Sequence, residues 1–330
     1  MPAVYPRVFN EMTKITDHIK AAAGKPIFSI EVIPPIKGDN LKNLLDNIEP
    51  LMEFRPPFID VTYHREEYIE RPLPDGTIQK IVTRKRPGTV GICSAIMHRF
   101  GVDAVPHVLC GGFTREETED FLIDLHYLGI DNALVLRGDP AKPFTTFKAK
   151  DNGYSYASEL VEQVANMNRG IYLHEEDTAL APSSFCIGVA AYPEKHFEAA
   201  DHDSDFQYLK QKIDKGADYI VTQMFFDNKK YLDFVDRCRQ EGIMVPIIPG
   251  LKPLSTRRQL QILPKLFHLD IPQDLVKAVD ACENDQQARQ VGVEWCIQQC
   301  RELMDAGAPV LHFYTMGKAD NVMKIAREIF

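Results

Sequence analysis

Residues 104–138, AVPHVLCGGFTREETEDFLIDLHYLGIDNALVLRG, contain a whole structural unit. An apolar run (104–110) gives way to Thr114 and Glu117, spaced as a helix capping box. Phe121, Leu122, Leu125 and Leu128 then form one helical stripe, Gly129 stops it, and a second apolar run follows at 132–138. Strand, helix and strand in this order, with both strands largely apolar, are the signature of a parallel sheet covered on both faces.

The unit recurs in both directions. Further strand candidates are IFSIEVI (27–33), FIDVTY (58–63), FCIGVAA (185–191), DYIVTQM (218–224), MVPIIPG (244–250) and VLHFYT (310–315). Leu41, Leu44, Leu45 and Ile48 supply a helical stripe. Ser204 and Gln207 form a possible capping box ahead of Phe206, Leu209 and Ile213, with Gly216 closing that helix. Eight strands with helical crossovers predict an α/β fold, a (β/α)8 TIM-type barrel, with an open doubly wound sheet as the alternative. Two connections are long. Residues 64–89 are charged, with a hairpin expected around Asp75-Gly76, and 168–183 form a second insertion. Neither has linker composition, so residues 1–330 read as a single domain, with a last helix over about 319–329 and no further C-terminal domain.

Composition narrows the function. The 330 residues are 45% hydrophobic and 26% charged, with Lys+Arg 38 against Asp+Glu 47 and a net charge of −9. That balance does not suit a nucleic-acid binder, whose affinity comes from clustered Lys and Arg. No run approaches the length of a membrane span, and the opening MPAVYPRVFNEMTK lacks the layout of a secretory signal, so a cytoplasmic location is expected. The seven cysteines are odd in number and include no C-x-x-C pair. Cys296 and Cys300 fall four apart on a helical segment without a matching His or Cys pair, and no metal is expected. Neither G-x-G-x-x-G nor the P-loop pattern occurs, so any nucleotide cofactor must be held by another kind of fold.

In such barrels the active site lies at the C-terminal ends of the strands. Polar residues collect there: Glu31; Thr62, Tyr63 and His64; His107 and Cys110; Arg137-Gly138-Asp139; Tyr192 through His196; Thr222 and Gln223. Glu31 suits either a core ion pair or a general acid with a raised pKa. His107 alone suits a hydrogen-bonded core histidine, and Asp205, Tyr208 and Lys212 a solvated helix face. The pattern predicts a barrel enzyme without naming its reaction.

Taken in order, FSIEVIPP (28–35), DVTY (60–63), VPHVLC (105–110), LVLRGDP (134–140), VAAYPEKH (189–196), GADYIVTQMFFD (216–227), VPIIPGLKP (245–253) and HFYTMGKAD (312–320) resemble the methylenetetrahydrofolate reductase family. The resemblance implies a cytoplasmic flavoprotein of one-carbon metabolism and methionine biosynthesis, an oxidoreductase acting on CH–NH donors. It would pass hydride from NADH or NADPH through FAD to 5,10-methylenetetrahydrofolate in ping-pong fashion, giving 5-methyltetrahydrofolate. It further implies Glu31 as general acid, Asp139 as a carboxylate beside flavin and pterin, and Gln223 as a contact to folate and nicotinamide. FAD contacts would be Thr62, His107, Leu136, Arg137, Gly138, Asp139, Tyr156, Ala157, Ala190, Tyr192, His196, Asp205 and Lys212. Substrate contacts would be Glu31, Gln223, Leu263 and Lys318. Tyr208 and Gln211 stand where relatives carry Asn and Arg, Leu263 stands for a phenylalanine, and Lys318 for an arginine, which loses a bidentate fork. A homo-oligomer is typical of the family, and the S-adenosylmethionine-binding regulatory domain of larger relatives is not expected here. Other readings are a flavin-free pterin-handling methyltransferase or lyase, or a non-catalytic subunit with the same fold.

Overall fold

A computed structural model describes residues 13–140, 146–175 and 180–330. Most of the opening segment read for a signal, and 176–179 within the second insertion, lie outside the described residues. The barrel strands are β1 (Ile27–Val32), β2 (Phe58–Val61), then, after a hairpin of β3 (Glu67–Pro72) and β4 (Ile78–Thr83), β5 (Asp103–Leu109), β6 (Asn132–Leu136), β7 (Cys186–Ala191), β8 (Tyr219–Thr222), β9 (Ile247–Ile248), β10 (Gly250–Leu251) and β11 (Val310–Tyr314). Helices α1 (Ile15–Ala21), α2 (Leu41–Ile48), α3 (Thr89–Phe100), α4 (Arg115–Tyr127), α5 (Ala157–Met167), α6 (His202–Asp214), α7 (Asn228–Gln240), α8 (Gln259–Phe267), α9 (Gln273–Asp280), α10 (Asp285–Asp305) and α11 (Asp320–Ile329) accompany them.

The barrel strands pair in parallel in the order β10-β11-β1-β2-β5-β6-β7-β8-β9. Because β9 pairs with β8 while β10 pairs with β11, the segment 247–251 joins both edges of the sheet. This is the α/β TIM-type barrel expected. The one expected strand over 244–250 is instead split at Pro249. Proline has no N–H for the ladder, and the next amide, Gly250, donates to Thr222 Oγ1 at 3.0 Å.

Strand alternation sorts the side chains into two cores. Outward residues such as Phe28, Ile30, Ile59, Ala104, Val135 and Val189 pack under the helices. Inward residues Phe58, Val105, Leu134, Cys186, Tyr219, Val221, Ile248 and Val310 fill the barrel, closed below by Ile15 and Ile19 of α1. Two glycines make space for large inward residues. A Cβ on Gly188 would lie 2.2 Å from Tyr219 Cζ, and one on Gly250 would lie 2.5 Å from the Tyr314 hydroxyl.

Local signals mostly hold. Thr114 and Glu117 form the expected capping box of α4. The box of α6 lies three residues earlier than expected, between Asp201 and Ser204, because the Asp201 carboxylate accepts the Ser204 N–H at 2.7 Å. The 64–89 excursion does contain a hairpin, with Asp75 and Gly76 in its turn. All seven cysteines are buried and unbridged. Among the described residues no helix is long and apolar enough to cross a membrane.

Candidate active site

At the C-terminal ends of the strands lies a cavity of about 890 Å³. Its walls include Glu31, Thr62, His107, Leu136, Arg137, Gly138, Asp139, Tyr156, Ala157, Ala190, Tyr192, His196, Asp205, Lys212 and Gln223, so the catalytic and cofactor positions expected from the sequence share one space. Two expected substrate contacts do not reach it. Leu263 is 3% exposed and packs with Met224, Phe226 and Leu254, its apolar side chain taken up by the core between α8 and the barrel. Lys318 lies in the exposed turn after β11, where its amide donates to Thr315 O and its amine is left to solvent. Tyr208 lines the cavity and stacks on Tyr156 at 6.3 Å, whereas Gln211 is exposed on the next turn.

The floor is a cluster of buried ionisable groups. Glu31 projects from the end of β1 with its side chain 11% exposed, and its Oε2 is 3.4 Å from His107 Nε2. Asp60 stands beside Glu31 in register on β2, with its nearer oxygen 3.9 Å from the same nitrogen. Among the described residues neither Asp60 oxygen has a hydrogen-bond partner. Burial pushes Glu31 up to about 8, and burial followed by the neighbouring Glu31 charge pushes Asp60 well above the ordinary carboxylate range. Burial also holds His107 and His312 down to about 3, so both rings are neutral. No cation forms an ion pair with Glu31 among the described residues; the floor therefore stores protons rather than negative charge.

Backbone details aim the remaining groups. Gly138 takes φ +85°, a conformation that lets the chain turn between Arg137 and Asp139 at the end of β6. The Gln223 amide donates to Ala191 O, and its side-chain oxygen accepts the Met224 N–H at 2.9 Å. That assignment leaves the Gln223 NH2 group free to donate into the cavity. On the opposite wall the Lys212 amine donates to Ala190 O. Burial lowers it to about 8, with Asp205 opposing the shift. Arg137 pairs with Glu198 at 2.5 Å, and Asp205 accepts the His196 N–H at 3.1 Å.

An inner cation, a guanidinium, a stacked tyrosine pair at the rim and the N-terminal end of α5 make a donor set suited to an elongated phosphate-bearing cofactor. The part of the wall nearest Glu31 is neutral and suited to a flat, hydrogen-bonding ring.

Several residues in or beneath the cavity were not singled out from the sequence. Asp60, His312 and Tyr314 face inward, and strand alternation alone would have placed them with Glu31. Arg65, Lys85 and Arg86 belong to the stem of the hairpin insertion, for which no periodic signal exists, whereas His64 beside them was among the expected strand-end residues.

The family profile described as Methylenetetrahydrofolate reductase matches residues 14–329. The chain is 34% identical over 307 residues to Methylenetetrahydrofolate reductase 1 of Schizosaccharomyces pombe, covering 92% of this chain and 46% of that protein. It is 30% identical to Methylenetetrahydrofolate reductase (NADH) 1 of Arabidopsis thaliana, covering 92% of this chain and 48% of the plant protein. It is also 30% identical to the 5,10-methylenetetrahydrofolate reductase of Pectobacterium carotovorum, covering 94% of this chain and 92% of the bacterial one. The chain thus spans about half the length of the eukaryotic relatives and nearly all of the bacterial one. A profile matched almost from end to end, on a barrel whose expected catalytic positions share one cavity, places the chain in the methylenetetrahydrofolate reductase family.

Proposed function

We propose that this chain is an FAD-dependent reductase that converts 5,10-methylenetetrahydrofolate to 5-methyltetrahydrofolate with NADH or NADPH. The product would supply methyl groups for methionine. The observation that carries this reading is Glu31: a carboxyl held protonated near neutrality at the floor of a cavity that Asp139 and Gln223 also line.

The donor set fits FAD. Lys212 and Arg137 would meet the diphosphate, Tyr156, Ala157 and Asp205 the adenosine half, and Thr62, His107, Ala190 and Tyr192 the ring system. When bound, FAD supplies a two-electron carrier that takes hydride from the nicotinamide and gives it to the folate. Glu31 holds a proton on its carboxyl and delivers it to the bridged folate nitrogen, opening the five-membered ring to the cation that accepts hydride. Asp139 is a fixed acceptor for pterin N–H groups, and its negative charge disfavours a second anion nearby. Gln223 donates from its free NH2 group to whichever of the two substrates is present. The buried floor of the barrel shields the proton on Glu31 from bulk water. Since one cavity has to serve two bulky partners in turn, the nicotinamide leaves before the folate enters.

The test is Glu31→Gln. Flavin reduction by NADH should persist, while folate reduction falls by about 10²–10⁴-fold, the usual worth of a general acid. Loss of both half-reactions would overturn the assignment of Glu31.

A further inference from the structure

The cavity wall on the β1, β2 and β5 side is built by the stem of the hairpin insertion. Residues Thr62 through Tyr68 and then Lys85 and Arg86 line it, whereas residues 69–84, the arms and tip of the hairpin, do not. The stem is tied down. Arg86 donates to Pro34 O, and the Lys37 amide donates to Lys85 O at 2.6 Å. Within this wall the acidic groups already have partners. Glu66 pairs with Arg84 at 2.9 Å, and Glu67 pairs with Lys85.

Two guanidiniums have no acidic partner. Arg65 and Arg86 line the cavity without a carboxylate within ion-pair distance among the described residues. Arg65 Nη2 is buried with no hydrogen-bond partner among the described residues, a costly state for a cation unless a ligand completes it. Its side chain runs over Gly111 and Gly112. A Cβ at either glycine would come within 3.4 Å of an Arg65 atom, so the missing side chains leave room for it. Lys318, the cation expected among the substrate contacts, is meanwhile outside the cavity.

From this we infer that Arg65 and Arg86 form an anion subsite on the hairpin stem that takes the glutamate carboxylates of the folate tail. The ligand chemistry is a carboxylate-rich chain, for which the planar guanidinium fork is the matching partner. The assignment of folate as the tail's owner rests on the reading under Proposed function. The same subsite chemistry would also suit phosphates of the nicotinamide dinucleotide, and the experiment separates the two.

Oxidised holoenzyme is titrated with 5-methyltetrahydrofolate carrying one or three glutamates, using the wild type, Arg65→Gln, Arg86→Gln and Arg86→Lys. Full flavin absorbance in each variant confirms folding. The wild type should bind the longer tail more tightly. Each Gln variant should lose about tenfold in affinity for it, the scale of one charge-assisted hydrogen bond, and most of the preference for length. Arg86→Lys should retain part of both, and added salt should narrow the differences. Unchanged folate affinity in both Gln variants overturns the subsite. A loss seen for NADH or NADPH in place of folate overturns its assignment to the folate tail. Failure of the wild type to bind the folate at all would instead sink the reductase reading itself.

Discussion

Glu31 has its effect through what surrounds it. Its ring neighbour His107 is neutral, Asp60 sits in register beside it, and among the described residues no lysine or arginine pairs with either acid. The native chain holds the Glu31 proton up to about 8, whereas an unfolded glutamate releases it near 4.5. The folated half-reaction should therefore be supported below pH 8 and fade above it, as stopped-flow reoxidation of the flavin across pH 6–10 would show. Stability follows the same linkage. Between those two pH values the folded state binds the extra proton, so stability declines as pH rises through the window. Glu31→Gln should flatten that decline, measured as Tm against pH, and a slope identical to the wild type would contradict the account. At this scale the sequence was legible where a charge interrupted an apolar run. Glu31 stood out for that reason, whereas Asp60 reads as an ordinary strand end until the strand register places it next to Glu31.

At the scale of elements, β-branched runs and turn residues located the strands, and the capping box located α4. What was not legible was competition between neighbouring signals. Asp201 outcompetes Ser204 as a helix cap, and Pro249 divides a strand whose apolar run continues through it. Leu263 and Lys318 lie off the cavity for a related reason: a position in a motif does not say whether packing or solvent takes the side chain. Packing inside the barrel also depends on features no pattern reveals, such as the tyrosine that occupies the space over a glycine. Gly188→Ala would press a methyl group against the Tyr219 ring, 2.2 Å from Cζ before relaxation. Overpacking of this kind costs about 1–3 kcal/mol. Urea unfolding should show it, and an unchanged midpoint would mean the ring has another place to go. The hairpin divides by function. Removing the tip, 73–77, while keeping the stem should leave FAD affinity unchanged, because only the stem lines the cavity.

Across the whole molecule, one barrel presents one large opening at its catalytic end, and all of the expected catalytic and cofactor positions face it. That arrangement predicts parallel lines in double-reciprocal plots of initial rate against NADH at several folate concentrations. Intersecting lines would mean that both substrates are held at once. The fold was legible at this scale because eight blocks recur in order along the chain. The anion subsite was not, since it depends on an insertion folding back on the mouth of the barrel. The proposed reaction has this cavity carry hydride from a nicotinamide to a folate through a flavin. Its most direct test is a visible spectrum of the FAD-loaded protein, taken anaerobically before and after NADH and again after 5,10-methylenetetrahydrofolate. Flavin bands that bleach with NADH and return with the folate are the predicted result; a protein that takes up no FAD, or a bleached flavin that the folate leaves unchanged, would contradict it.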